Sequence, residues 1–163
     1  RQLISEQIVQ IRDNEKKSFC FESGEPLKSK VVSLFGSYRQ LPNGKQYFHT
    51  GTDFRAWTGT PVRAMADGTV VLARPFIMPG NAIYVDHGYG IYSKYFHLSA
   101  FKVSEGQKVK KGQVIALSGG TGRVEAPHLH WEVSWHGIST DAQEFVRLTN
   151  EICQERAIAS SQK

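Results

Sequence analysis

His128-Leu-His-Trp-Glu-Val133 alternates polar and apolar side chains, the pattern of a half-buried strand. Side chains two apart on a strand share a face, so His128 and His130 project together while Leu129 and Trp131 turn to the core. Far upstream stands His49-Thr-Gly-Thr-Asp53, a poor helix sequence and an acceptable strand or loop. In extended conformation His49, Gly51 and Asp53 share one face, and Gly51 leaves room beside its neighbours. Two such segments side by side would bring imidazoles and a carboxylate to one point, with His97 lying between them in sequence. Two histidines and one carboxylate suit catalytic zinc, whose fourth position stays open for water. Mononuclear iron of the two-His, one-carboxylate type is the chemical competitor.

The surrounding punctuation runs in a fixed order. Phe35-Gly-Ser-Tyr-Arg39 precedes His49-Thr-Gly-Thr-Asp53-Phe54, Gly59-Thr-Pro-Val62, Asp67-Gly-Thr-Val70, Gly80-Asn81 and Asp86-His-Gly88. Tyr95-Phe-His-Leu-Ser99, Gly106-Gln-Lys-Val109, Lys111-Gly-Gln-Val-Ile115, Gly119-Gly-Thr-Gly122 and Pro127-His-Leu-His-Trp-Glu132 follow. Over roughly residues 31 to 135 this series resembles the LytM/lysostaphin-type zinc metallopeptidases, endopeptidases of peptidoglycan. The resemblance implies a mainly β fold: an antiparallel, barrel-like sandwich core with flanking N- and C-terminal helices. It implies one zinc ion held by His49, Asp53 and His130, with His97 and His128 as catalytic histidines and Asn81 as a substrate-binding cleft residue. Zinc so held activates water at neutral pH and polarises a carbonyl. The two spare histidines would then supply acid–base catalysis. No His-Glu-x-x-His is present, which excludes a thermolysin-like base. Glu132 shares the parity of His128 and His130 and is read as a buttress for a ligand.

Composition agrees with one enzyme domain. A chain of 163 residues is long enough for a proper core, and 40% hydrophobic content with 15 glycines suits a turn-rich β protein rather than a disordered one. Three regions are expected: an N-terminal helix and linker over 1–30, a catalytic core over 31–136, and a C-terminal helix with its tail over 137–163. Ile4, Ile8 and Ile11 carry the first helix. In the last, helical over about 141 to 157, Thr140 and Gln143 match a capping box, Phe145, Val146 and Ile152 share one side, and the tail from Ser160 frays. Gly106-x-x-Val109-x-x-Gly112-x-x-Ile115 is hairpin grammar. Gly119-Gly-Thr-Gly122 lacks the Lys and the helix of a phosphate loop and reads as a turn. His87 and His136 read as turn residues.

Twenty basic against fifteen acidic residues give +5, which favours anionic partners. Peptidoglycan is the expected partner. Nucleic acid is disfavoured because the lysines are scattered, and Lys108, Lys110 and Lys111 flank a hairpin turn as solvated charges. There is no apolar run of membrane-spanning length and no secretory signal, but Arg1 in place of Met points to a processed or truncated chain, so location in the periplasm or cell envelope remains the expectation. Cys20 and Cys153 are either one disulfide clamping the ends or two buried thiols.

Two further readings belong to other classes: a LytM-like regulator that binds an amidase or the wall without cleaving it, and a latent site blocked by an upstream segment. The full ligand set speaks for activity. The chain departs from its relatives at Arg123-Val-Glu-Ala126 and at Thr140-Asp141, both expected to rim the cleft. Of the two bonds cut by such enzymes, glycine bridges and D-Ala–meso-diaminopimelate links, the second is the expected target.

Overall fold

The computed structural model describes residues 20–40 and 43–161. The N-terminal helix expected from Ile4, Ile8 and Ile11 lies outside the described residues. Among the described residues twelve strands precede one helix: β1 (Val31–Ser33), β2 (Tyr38–Gln40), β3 (Gln46–Phe48), β4 (Thr52–Arg55), β5 (Pro61–Arg63), β6 (Gly68–Phe76) and β7 (Gly80–Asp86), then β8 (Ile91–Phe101), β9 (Lys108–Val109), β10 (Val114–Ser118), β11 (His128–Trp135), β12 (Ile138–Thr140) and α1 (Ala142–Ser161). The fold is mainly antiparallel β, as expected, and the barrel-like sheet stays open. Its main path runs β1-β4-β11-β8-β7-β6-β9, with β5, β10 and β12 attached beside it, and β2 and β3 form a separate hairpin.

β4 and β11 alternate as their sequence demands. Phe54, Leu129 and Trp131 are buried on the core face, and the Phe54 and Trp131 rings pack 6.1 Å apart. Tyr95 of β8 joins them, and its hydroxyl accepts a hydrogen bond from the Met65 amide at 2.9 Å. Burying one large apolar side chain of this kind stabilises by roughly 1.5–3 kcal/mol. Gly51, just before β4, is required by proximity: a Cβ there would lie 2.5 Å from the Trp131 carbonyl and 2.7 Å from His130 Nε2.

The two ends of the described chain meet on α1. Phe145 and Val146 are buried, and Phe145 meets Phe21 edge-on at 6.0 Å. Asn150 exchanges two hydrogen bonds with the Ser23 backbone, at 3.1 and 3.0 Å. Of the two readings of the cysteines, the disulfide holds: Cys20 is bonded to Cys153, with Cα atoms 4.9 Å apart. Closing a loop this long stabilises by up to about 5 kcal/mol in the chain-entropy picture.

Three details of this end differ from expectation. Thr140 does not cap α1, because its hydroxyl donates to the Val133 carbonyl within the β11–β12 pair. Asp141 caps instead, its Oδ1 accepting from the Glu144 amide at 3.2 Å. Thr140 thus ends β12 and Asp141 starts the helix, and neither lines the cleft beside the metal cluster. The helix also continues to Ser161, where Ser160 and Ser161 hydroxyls donate to carbonyls one turn back. Among the described residues no helix is long and apolar enough to cross a membrane.

Candidate metal centre

Asp53 of β4 and His130 of β11 are paired in register, two residues along from the pair Arg55–His128 and on the same face. Cross-strand partners share a face, so this rung faces away from Trp131 and toward His49, which enters from the loop before β4. Three potential donor atoms converge: His130 Nδ1 lies 2.7 Å from Asp53 Oδ1 and 2.9 Å from His49 Nε2, and His49 Nε2 lies 3.1 Å from Asp53 Oδ1. All three residues are buried.

The outer atoms fix the chemistry of the inner ones. His49 Nδ1 donates to the Leu34 carbonyl at 2.9 Å, so Nε2 presents a lone pair. On the other imidazole, His130 Nε2 donates to Glu132 Oε1 at 3.0 Å, which leaves Nδ1 facing inward. Glu132 is held in turn by the Thr50 hydroxyl and by Lys94 Nζ at 3.3 Å. Arg39 of β2 donates to Asp53 Oδ2 at 2.7 Å and to Ser33 Oγ at 2.7 Å, which leaves Oδ1 as the inward oxygen. Two nitrogen lone pairs and one carboxylate oxygen thus converge on one point, an arrangement that repels itself unless a cation or proton sits there. This donor set fits zinc.

The titration behaviour follows the same logic. Burial opposes ionisation of Asp53, but hydrogen bonding within the His130, His49 and Arg39 set carries its carboxyl well below the usual range. Burial likewise disfavours a charged His130, yet the carboxylates of Asp53 and Glu132 outweigh it and raise its pKa.

His97 and His128 stand beside this cluster with rings 4.8 Å apart. His128 Nδ1 donates to the Ala126 carbonyl at 2.9 Å, and its Nε2 lies 3.7 Å from Asp53 Oδ1. His97 Nδ1 donates to the Thr121 carbonyl at 2.9 Å, which leaves Nε2 free. Burial, reinforced by His128 and His130, pushes His97 down to about 4 against the pull of the Thr121 carbonyl, so the ring is neutral at pH 7.

His97 arrives by a route that strand alternation does not foresee. Phe96 pairs with His130 and stacks on its ring at 5.2 Å, so simple alternation would send His97 to the core face with Tyr95. Instead β8 loses register against β7 between Asn81 and Ile83, and His97 adopts φ +60°. That left-handed residue turns the ring back to the site. Leu98 then goes to the core, fully buried.

Asn81 lies beside this irregularity, outside the metal cluster. Its Nδ2 donates to the Leu98 carbonyl at 2.9 Å, and its amide donates to Thr121 Oγ1 at 2.9 Å. Thr121, which sequence reasoning placed only in a turn, also donates to Leu98 O at 2.8 Å and so locks the loop that holds His97. Gly122 and Gly80 pack so closely that neither tolerates a Cβ, a proximity no sequence pattern reveals. His87 and His136 stay out of the site. His87 bridges the Asp67 carbonyl and Ser93 Oγ, each at 2.7 Å, and His136 takes φ +47°.

An open antiparallel sheet that carries a two-histidine, one-carboxylate cluster beside two more histidines defines a metallopeptidase of the LytM/lysostaphin type. The chain belongs to peptidase family M23, which matches residues 47–142. It is 42% identical over 118 residues to the peptidoglycan DD-endopeptidase ShyA of Vibrio cholerae serotype O1, an alignment covering 72% of this chain and 27% of ShyA. It is 39% identical over 142 residues to the DD-carboxypeptidase/endopeptidase Mpg of Neisseria meningitidis serogroup B, covering 85% of this chain and 33% of Mpg. The chain therefore spans about a third or less of these curated relatives. A crystal structure of a zinc-containing peptidase from Vibrio cholerae superposes with TM-score 0.71 at 37% identity, over 76% of this chain and 39% of that one.

Proposed function

We propose that the chain is a zinc-dependent endopeptidase that hydrolyses peptide cross-links of peptidoglycan in the periplasm or cell envelope, with D-Ala–meso-diaminopimelate bonds as its target. The observation that carries this reading is the outer tether on all four histidines. His49, His97, His128 and His130 each commit one nitrogen to a carbonyl or carboxylate acceptor and turn the other toward one small volume. A regulator that has lost activity has no use for such a complete set. The names of ShyA and Mpg, each an endopeptidase acting at DD bonds, support the choice of bond.

In this reading His49, Asp53 and His130 hold one zinc ion. When bound, zinc supplies Lewis acidity that makes water nucleophilic at neutral pH and polarises the scissile carbonyl. His128 and His97, each with Nε2 free, orient the attacking water, take its proton and return it to the departing amine. Because His97 is neutral at pH 7, its lone pair is available for that transfer. Asn81 supports the cleft through Thr121 and Leu98. Glu132 and Arg39 position His130 and Asp53.

Elemental analysis, run beside digestion of purified cross-linked peptidoglycan, tests the proposal. About one zinc per chain and release of un-crosslinked muropeptides, both lost on chelation, are expected, and product masses identify the bond. One zinc without cleavage would replace this reading with wall or partner binding.

A further inference from the structure

Beside the metal cluster runs a cleft of about 1320 Å³, and the charge lining it is uneven. Arg39 in its wall is occupied by Asp53. Lys45, Arg55 and Arg123 also line it, and among the described residues none of the three has an ion-pair partner; Glu125 is the one acid besides Asp53 in the lining. Three uncommitted cations against one carboxylate leave this cleft electropositive, with low-dielectric walls that focus the field.

Arg55 is the best placed of them. It is the cross-strand partner of His128 and shares the face of Asp53 and His130, two residues along the strand from the metal cluster. Its backbone is fixed on both sides, the amide donating to Lys30 O at 2.8 Å and the carbonyl accepting from Ser29 Oγ at 2.6 Å. The side chain itself is exposed. A guanidinium held at its root, without a partner, next to a histidine with a free nitrogen is prepared for a ligand carboxylate, which its planar fork matches in two parallel hydrogen bonds.

Trp57, two residues on, has the same character. Its carbonyl accepts from Ser118 Oγ at 2.6 Å and Thr60 Oγ1 at 2.8 Å, and the neighbouring Gly59 amide donates to Ser118 O at 2.9 Å. The loop is thus tied to β10, yet the indole is 77% exposed at the cleft. An exposed aromatic on a rigid support offers contact area at little entropic cost.

From this placement we infer that Arg55, with Trp57 as an apolar platform and Lys45 and Arg123 along the cleft, forms a subsite for a peptide bearing a free carboxylate beside the scissile bond, and that the cleft selects such acidic peptides over neutral ones. The inference rests on the endopeptidase reading for the position of the scissile bond. It separates an acidic stem-peptide link from an uncharged glycine bridge, a distinction that the metal cluster cannot make.

The test uses two synthetic cross-linked peptides that contain a D-Ala–meso-diaminopimelate bond, one with free carboxylates and one with those carboxylates amidated. Both are titrated by calorimetry into the zinc-loaded protein and into Arg55→Gln, with zinc content checked in each. The wild type is expected to prefer the carboxylate form by about tenfold or more, as a charge-assisted hydrogen bond demands, and Arg55→Gln to reduce the preference to within about twofold. Equal affinity of the wild type for both peptides would overturn the inference, as would a preference that Arg55→Gln leaves intact. Digestion of the same peptides reads the endopeptidase separately. Selective binding without cleavage removes the enzyme reading and keeps the subsite; cleavage without selectivity does the reverse.

Discussion

His128 and His130 reach the site because β11 is regular, whereas His97 reaches it because β8 is not. On β11 two histidines two residues apart share a face by ordinary alternation, and pairing with β4 brings Asp53 opposite His130. On β8 the register slips, His97 takes φ +60°, and Thr121 holds the ring from a separate loop. A regular strand places a metal ligand firmly and repeats what its neighbours do. An irregular strand delivers one side chain out of phase, at a backbone cost of roughly 1–3 kcal/mol that the surrounding packing must offset. On the proposed assignment the difference divides the work: regular β4 and β11 would carry the ligands Asp53 and His130 together with His128, and the bulge would bring the acid–base group His97 from another direction.

Substitutions that strip each half in turn sharpen this division. His130→Ala is expected to have the largest effect, with zinc content falling to near zero and peptidoglycan cleavage lost with it. Glu132→Gln removes the charge behind His130, and zinc affinity measured by chelator competition is expected to fall about 10- to 100-fold. The same environment sets a pH dependence. Asp53 and Glu132 raise the pKa of His130, so its inner nitrogen stays protonated over a wider range. Below that raised value zinc must displace a proton, and apparent affinity is expected to weaken about tenfold per pH unit as pH falls.

The smallest effect tests the backbone contrast itself. At position 97 glycine is expected to be more stable than alanine by about 1 kcal/mol, since only glycine enters the left-handed region without strain. At position 128, in a regular strand, the order is expected to reverse by roughly 0.5–1 kcal/mol. Denaturant midpoints of the four variants decide it, and the same order at both sites would contradict the comparison.

Legibility in the sequence follows this division. Alternation in His128-Leu-His-Trp-Glu-Val133 and the room left by Gly51 are local properties, and they foretold the β4–β11 pair and its cluster. Family likeness pointed to His97 but not to how it arrives, because a bulge depends on the register of three strands at once. Thr121 and Arg39 passed unnoticed for a related reason, since each acts through a partner distant in sequence, and Arg55 is distinguished only by its place in the cleft. The capping residue was misread by one position because Thr140 had a β-pair carbonyl within reach, which no window around the helix start contains.

The most direct test of the division between ligand and acid–base histidines is elemental zinc analysis of His97→Ala, run beside digestion of cross-linked peptidoglycan. Zinc content is expected to match the wild type while cleavage falls about 10²- to 10⁴-fold. Full cleavage by this variant, or loss of zinc together with cleavage, would contradict the account.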